Sequence, residues 1–120
     1  MDSSLRYSGF VIKGRGRGTR LGFATINISC EKNPGIKHGI YLCLVKINNR
    51  EYKGLLHWGP IPTFSENKPV VEILIQEKIR DLKIGSVVFF QLLKFLREII
   101  KFTKPEDLAN QIKRDLEALQ

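Results

Sequence analysis

The sequence predicts a mainly β domain, a closed or nearly closed barrel of about six strands with one helix at its C-terminal end. Three observations lead there. Short β-branched and aromatic runs recur along most of the chain, each stopped by Gly, Pro or Asn. Helical periodicity is confined to the tail. At 120 residues the chain can bury one real core and no more, so 1–120 reads as a single domain.

Leu5 to Lys13 is the first strand, given β character by Tyr7, Phe10, Val11 and Ile12. It runs into Gly14-Arg15-Gly16-Arg17-Gly18, which cannot be regular structure. The second strand is Thr25 to Cys30, where Ile26 and Ile28 alternate with Thr25, Asn27 and Ser29, so its two faces differ. Asn33-Pro34-Gly35 signals a turn before Gly39 to Ile47, a strongly apolar third strand. Asn48-Asn49 is a hairpin tip leading into Glu51 to Trp58. Gly59-Pro60-Ile61-Pro62 ends that pair, and Ser65 to Pro69 makes a polar loop. Val70 to Gln76 and Val87 to Leu96 complete the strands. In the tail, Thr103-Lys104-Pro105-Glu106 fits a capping box with Pro105 in the first turn, where its missing N–H costs little. Leu108, Ile112, Leu116 and Leu119 then form an apolar stripe suited to packing on the sheet.

The totals narrow the function classes. No apolar run is long enough to cross a bilayer, and the N-terminus lacks the apolar middle of a signal peptide, which points to the cytoplasm. The net charge of +8 asks for an anionic partner, whether nucleotide, nucleic acid or acidic membrane, although many single lysines belong on solvated faces. Cys30 and Cys43 form no CxxC pair and read as small buried residues in a reducing compartment. His38 and His57 have no ligand spacing with either, which leaves them a structural or titratable role.

Three places could carry chemistry. The glycines of the 14–18 run let backbone N–H groups approach a phosphate, and its arginines add charge-assisted bonds. The run lacks the lysine and hydroxyl residue of a P-loop, so a basic turn or a nucleic-acid contact reads equally well. Thr25 and Asn27, two apart on a strand, share a face and offer two neutral oxygens that suit Mg²⁺, or are simply a wet strand face. Glu72 shares a face with Val70 and Leu74, an apolar setting that raises a carboxyl's pKa and suits a general base; a solvated strand-end glutamate is the even alternative.

The segment from Gly9 to Asn27 resembles the riboflavin kinase signature, a G-x-V-x-x-G stretch followed by G-R-x-L-G-F-P-T-A-N. The likeness continues in order through Gly39-Ile40-Tyr41, Gly54, Gly59-Pro60-Ile61-Pro62-Thr63-Phe64, Glu72, Leu96-Arg97, Lys101-Phe102 and the helix around Ile112 and Asp115. It thus covers roughly residues 9 to 115. The resemblance implies a six-stranded Greek-key barrel with a C-terminal helix. It implies that Thr25 and Asn27 hold the Mg²⁺ of bound ATP, and that Glu72 takes the proton of the ribityl 5′-hydroxyl. Gly14, Arg15, Gly16, Arg17, Gly18 and Arg20 match the flap over the nucleotide phosphates, and Thr25 also counts among the nucleotide-binding residues. Arg97, Phe102 and Thr63 fall where the family closes over the flavin.

The expectation is therefore ATP-dependent conversion of riboflavin to FMN, with ADP as the second product, by a monomer that contacts no membrane. Rival readings are a barrel of the same fold that holds flavin or nucleotide without turnover and, more distantly, a basic barrel that binds single-stranded nucleic acid. Ala24 and Ile26 replace the proline and alanine of the pattern, Leu74 stands where histidine is frequent, and Ile84 where a tyrosine precedes glycine. Glu98 lies one place before the family's usual acid. Many relatives fuse this domain to an FMN adenylyltransferase; with no room for one here, FAD synthesis is not expected.

Overall fold

The computed structural model describes residues 5–13, 24–29, 35–59, 70–77, 79 and 82–119. Six strands are present among them: β1 (Leu5–Ile12), β2 (Ala24–Ser29), β3 (Gly39–Ile47), β4 (Arg50–Gly59), β5 (Val70–Ile75) and β6 (Val87–Arg97). One helix follows, α1 (Pro105–Glu117). Each strand lies within about a residue or two of the stretch expected from the sequence, because the stops are set by local turn chemistry. Asn48 and Asn49 both have positive φ, 51° and 67°, the backbone a tight hairpin between β3 and β4 requires and asparagine tolerates.

All neighbouring strands are antiparallel and close in the order β1-β2-β5-β4-β3-β6. The last strand returns to lie beside β3, which makes the topology a Greek key. Closure leaves no sheet edge to be protected. Strand alternation then sorts side chains into two apolar groups. Ile26, Ile28, Cys43, Val45, Leu56, Val71, Ile73, Ile75, Val88 and Phe90 point inward and fill the barrel. Ile40, Leu55 and Leu74 point outward and are covered by Leu116, with Ile112 and Leu119 packed against them. The stripe read from the sequence is therefore the seam between helix and barrel. Burying each such side chain contributes roughly 1.5–3 kcal/mol.

The helix start differs from expectation. Lys104, with extended backbone, is the N-cap, and no side chain caps the first turn; Pro105 occupies the first helical position. A capping box needs Thr103 at the N-cap. Proline at N1 starts the helix one residue later, which takes the hydroxyl out of register.

Candidate functional site

The sheet register builds one row of side chains across the outside of the barrel. Asn27 on β2 pairs with Glu72 on β5, and Glu72 pairs on its other side with His57 on β4. His57 pairs with Ile40 on β3, and Ile40 with Arg97 on β6. Thr25 lies two residues from Asn27 along β2 and pairs with Leu74. The neighbours Ile26, Ile28, Val71 and Ile73 are buried inside, so Thr25, Asn27, Glu72 and His57 face outward, each half-buried. Directly opposed residues hold their Cβ atoms roughly 4.5–5.5 Å apart. Two amide or hydroxyl oxygens, a carboxylate and an imidazole thus share one patch.

Its surroundings are asymmetric. Beyond Thr25 the patch is closed by Leu74 and Leu55 beneath the helix. Glu72 has this apolar neighbour along its strand, as the alternation implies, but polar residues on both adjacent strands, which the one-dimensional reading missed. The His57 Nε2–H donates to the Gly59 carbonyl at 3.1 Å; a carbonyl only accepts, so that nitrogen carries the proton. This fixes the ring beside Glu72.

Arg97 stands at the far end of the row, three strands from Glu72 and so roughly 14 Å away at about 4.8 Å per strand. Its guanidinium faces the helix. Nε and Nη2 donate to the Asp115 carboxylate, the shortest contact being 2.7 Å, and Nη1 donates to the Glu98 carbonyl at 2.9 Å. Asp115 is buried and also accepts from Gln111 at 2.9 Å. Phe102 lies half-buried between β6 and α1. Gly14, Arg15, Gly16, Arg17, Gly18, Arg20, Thr63 and Cys30 lie outside the described residues.

Sequence reasoning brought Thr25, Asn27 and Glu72 forward but did not place His57 beside Glu72 or Asp115 against Arg97. His57 has no sequence signal, since its place beside Glu72 depends on β4 pairing with β5. Asp115 does have one: it sits three residues after Ile112 and four before Leu119, an acid on the apolar stripe that calls for a buried partner. Among the described residues no group of three or more His, Cys, Asp or Glu could hold a metal, so a cation here would rely on neutral oxygens and on the ligands its substrate brings.

The polar patch thus lies on the outside of a closed Greek-key barrel braced by a C-terminal helix. The riboflavin kinase (flavokinase) family model matches residues 1–120, and the chain belongs to that family. It is 33% identical over 110 residues to the RNA-binding riboflavin kinase RibR of Bacillus subtilis, covering 91% of this chain and 47% of that protein. It is 28% identical over 111 residues to the bifunctional riboflavin kinase/FMN adenylyltransferase of the same organism, covering 89% of this chain and 35% of that one. The chain thus spans less than half the length of these relatives. A solved structure described as a macrolide-efflux protein from Streptococcus pneumoniae superposes with a TM-score of 0.82 at 27% identity, over 95% of this chain and 38% of that one. No described helix of this chain is long and apolar enough to cross a membrane.

Proposed function

We propose that this chain is an ATP:riboflavin 5′-phosphotransferase, acting as one domain over residues 1–120. The observation that carries the reading is the adjacency of Asn27 and Glu72 on the outer face, with Thr25 beside them, in a member of the riboflavin kinase family. Glu72 accepts the proton of the ribityl 5′-hydroxyl as that oxygen bonds to the γ-phosphorus. The bond from the γ-phosphorus to the bridging oxygen breaks, and ADP leaves with the electron pair. Such transfer needs mainly positioning and charge neutralisation, and a positioned base adds about 10²–10⁴-fold.

Thr25 and Asn27 would hold a divalent cation, Mg²⁺ in this proposal, whose contribution when bound is to neutralise phosphate charge. Their neutral oxygens fit an ion that keeps its phosphate and water ligands. Gly14, Arg15, Gly16, Arg17, Gly18 and Arg20 would close over the phosphates, and Thr63, Arg97 and Phe102 over the flavin. Arg97 would do so from a guanidinium already braced on Asp115. Ile26, the bulky departure between the two proposed cation ligands, is buried inside the barrel and does not crowd them; this favours turnover over a flavin-holding module without it. A monomer in the cytoplasm completes the proposal.

Purified protein with riboflavin, ATP and Mg²⁺ should yield FMN on a chromatogram, and no product across several metals and nucleotides would sink the reading. The coupling of RNA binding with riboflavin kinase in the name of the RibR relative supports a second, compatible role for the charge of +8, RNA contact elsewhere on the barrel.

A further inference from the structure

The barrel carries a second organised surface on the side away from Glu72. In the closed order, β6 is three strands from β5 whichever way the ring is followed, which places it opposite. On the outside of β1 and β6, Phe10 and Phe89 are 43% and 55% exposed. Val87, the cross-strand partner of Phe10, is exposed as well. Rings on a soluble barrel normally turn inward, as Phe90 does here, so two outward phenylalanines on adjacent strands are a feature needing a cause.

Cations border these rings. Lys46 on β3 is the direct partner of Phe89, and Arg6 on β1 is the partner of Gln91. Neither Lys46 nor Arg6 joins an ion pair among the described residues. Two grooves of about 340 and 370 Å³ are both lined by Phe89 and Lys46. The first also holds Arg6 and Gln91, the second Asn49. Glu51 lines the first groove too, so each groove keeps a single net positive charge.

A flat ring flanked by the cations of Lys46 and Arg6 matches alternating bases and phosphates. Bases of any identity stack on an aromatic face, and the phosphates between them need cations at their side. The amides of Gln91 and Asn49 can both donate to and accept from a ribose 2′-hydroxyl, which favours RNA over DNA. A second copy of the chain fits less well. A two-fold contact on this face would set Arg6 and Lys46 against their own copies, and like charges buried together disfavour association.

We propose that the outer face of β1, β6 and β3, centred on Phe89, binds single-stranded RNA, with Phe89 and Phe10 under the bases and Arg6 and Lys46 on the phosphates. This deepens the second reading above and rests on it, while the kinase reading stands apart. The test is fluorescence anisotropy of a short labelled oligouridylate with the intact chain, at about 50 and about 200 mM salt. Binding should weaken with salt at a log–log slope of about −0.7 per phosphate contact, so about −1.4 for two. Phe89→Ala should weaken binding about fivefold or more. Lys46→Glu and Arg6→Glu should each flatten the slope, and FMN formation should be unchanged in all three. All three positions are exposed, and circular dichroism melts matching the parent show that the fold is kept. No binding at low salt overturns the RNA reading itself. Binding unaltered by all three substitutions overturns the surface while sparing that reading. Equal affinity for an oligothymidylate overturns the choice of RNA. A dimer by light scattering that Phe89→Ala dissolves would give the face to a second copy instead.

Discussion

Asn27 on β2 and Glu72 on β5 are direct cross-strand partners, so an amide and a carboxylate lie side by side on the outside of the barrel. The pairing joins residues far apart in the chain, and it holds because Ile26, Ile28, Val71 and Ile73 anchor the same two strands from within. A slip of β2 by one residue would turn Thr25 and Asn27 into the core and its isoleucines out to solvent. The site's geometry is thus set by the packing of the core beneath it.

Glu72→Gln keeps the shape of the side chain and removes its basicity. If Glu72 is the base, kcat should fall about 10²–10⁴-fold while riboflavin affinity, read by flavin fluorescence quenching, changes little. A variant turning over at the parent rate would exclude it from proton transfer.

Asn27→Leu removes one proposed cation ligand without cutting into the core, since Asn27 faces outward. The concentration of Mg²⁺ giving half-maximal rate should rise about tenfold or more, as expected when a ligand contributing about 1.4 kcal/mol is lost. An unchanged Mg²⁺ dependence would move the cation elsewhere.

Much of this was legible in one dimension, and the residues explain which part. Ile26 and Ile28 alternating with Thr25 and Asn27 gave away both the strand and its two faces, because a period of two is local. Asn48-Asn49 gave away the hairpin for the same reason. The strand order was not local: that β5 sits between β2 and β4 follows from how six strands close, and only this puts His57 beside Glu72. Phe10 and Phe89 read as ordinary β-formers, since strand propensity does not say which face is buried. The resemblance to riboflavin kinases linked Thr25, Asn27 and Glu72 before any geometry did.

Arg97 and Asp115 are the brace between β6 and α1, with side chains 17% and 5% exposed. Arg97→Ala would strand a buried carboxylate whose one other partner among the described residues is the Gln111 amide. The expected loss is about 3–5 kcal/mol in urea unfolding, and Arg97→Lys should recover little, since one ammonium cannot replace a two-pronged contact. A loss below about 0.5 kcal/mol would show that the pair does not anchor the helix.

Gly59 has φ of +129°, and a Cβ there would meet Ile99 at 2.8 Å and His38 at 2.9 Å. Gly59→Ala should therefore cost about 1–3 kcal/mol, seen as a melting temperature lower by roughly 4–12 °C. Because the Gly59 carbonyl holds the His57 ring, FMN formation should fall more than the folded fraction does.

Cys43 is fully buried among the inward residues, and burial pushes its thiol up to about 12 from 9.0, against a smaller opposing effect of a hydrogen bond from the Gly54 backbone. The native state therefore holds the thiol proton more tightly than the unfolded chain does. Stability from this source is complete below pH 9 and is lost as pH rises toward 12. In a Cys30→Ser background, a thiol reagent at neutral pH should label Cys43 only as fast as the barrel opens, and urea should accelerate labelling in step with unfolding. Raising the buffer to about pH 10.5 should destabilise this protein by about 2 kcal/mol more than its Cys43→Ala counterpart, since the other titrating groups cancel in that comparison. Rapid labelling of the folded protein, or equal pH dependence of the two variants, would mean that the thiol reaches solvent and that the inward face of β3 is not closed.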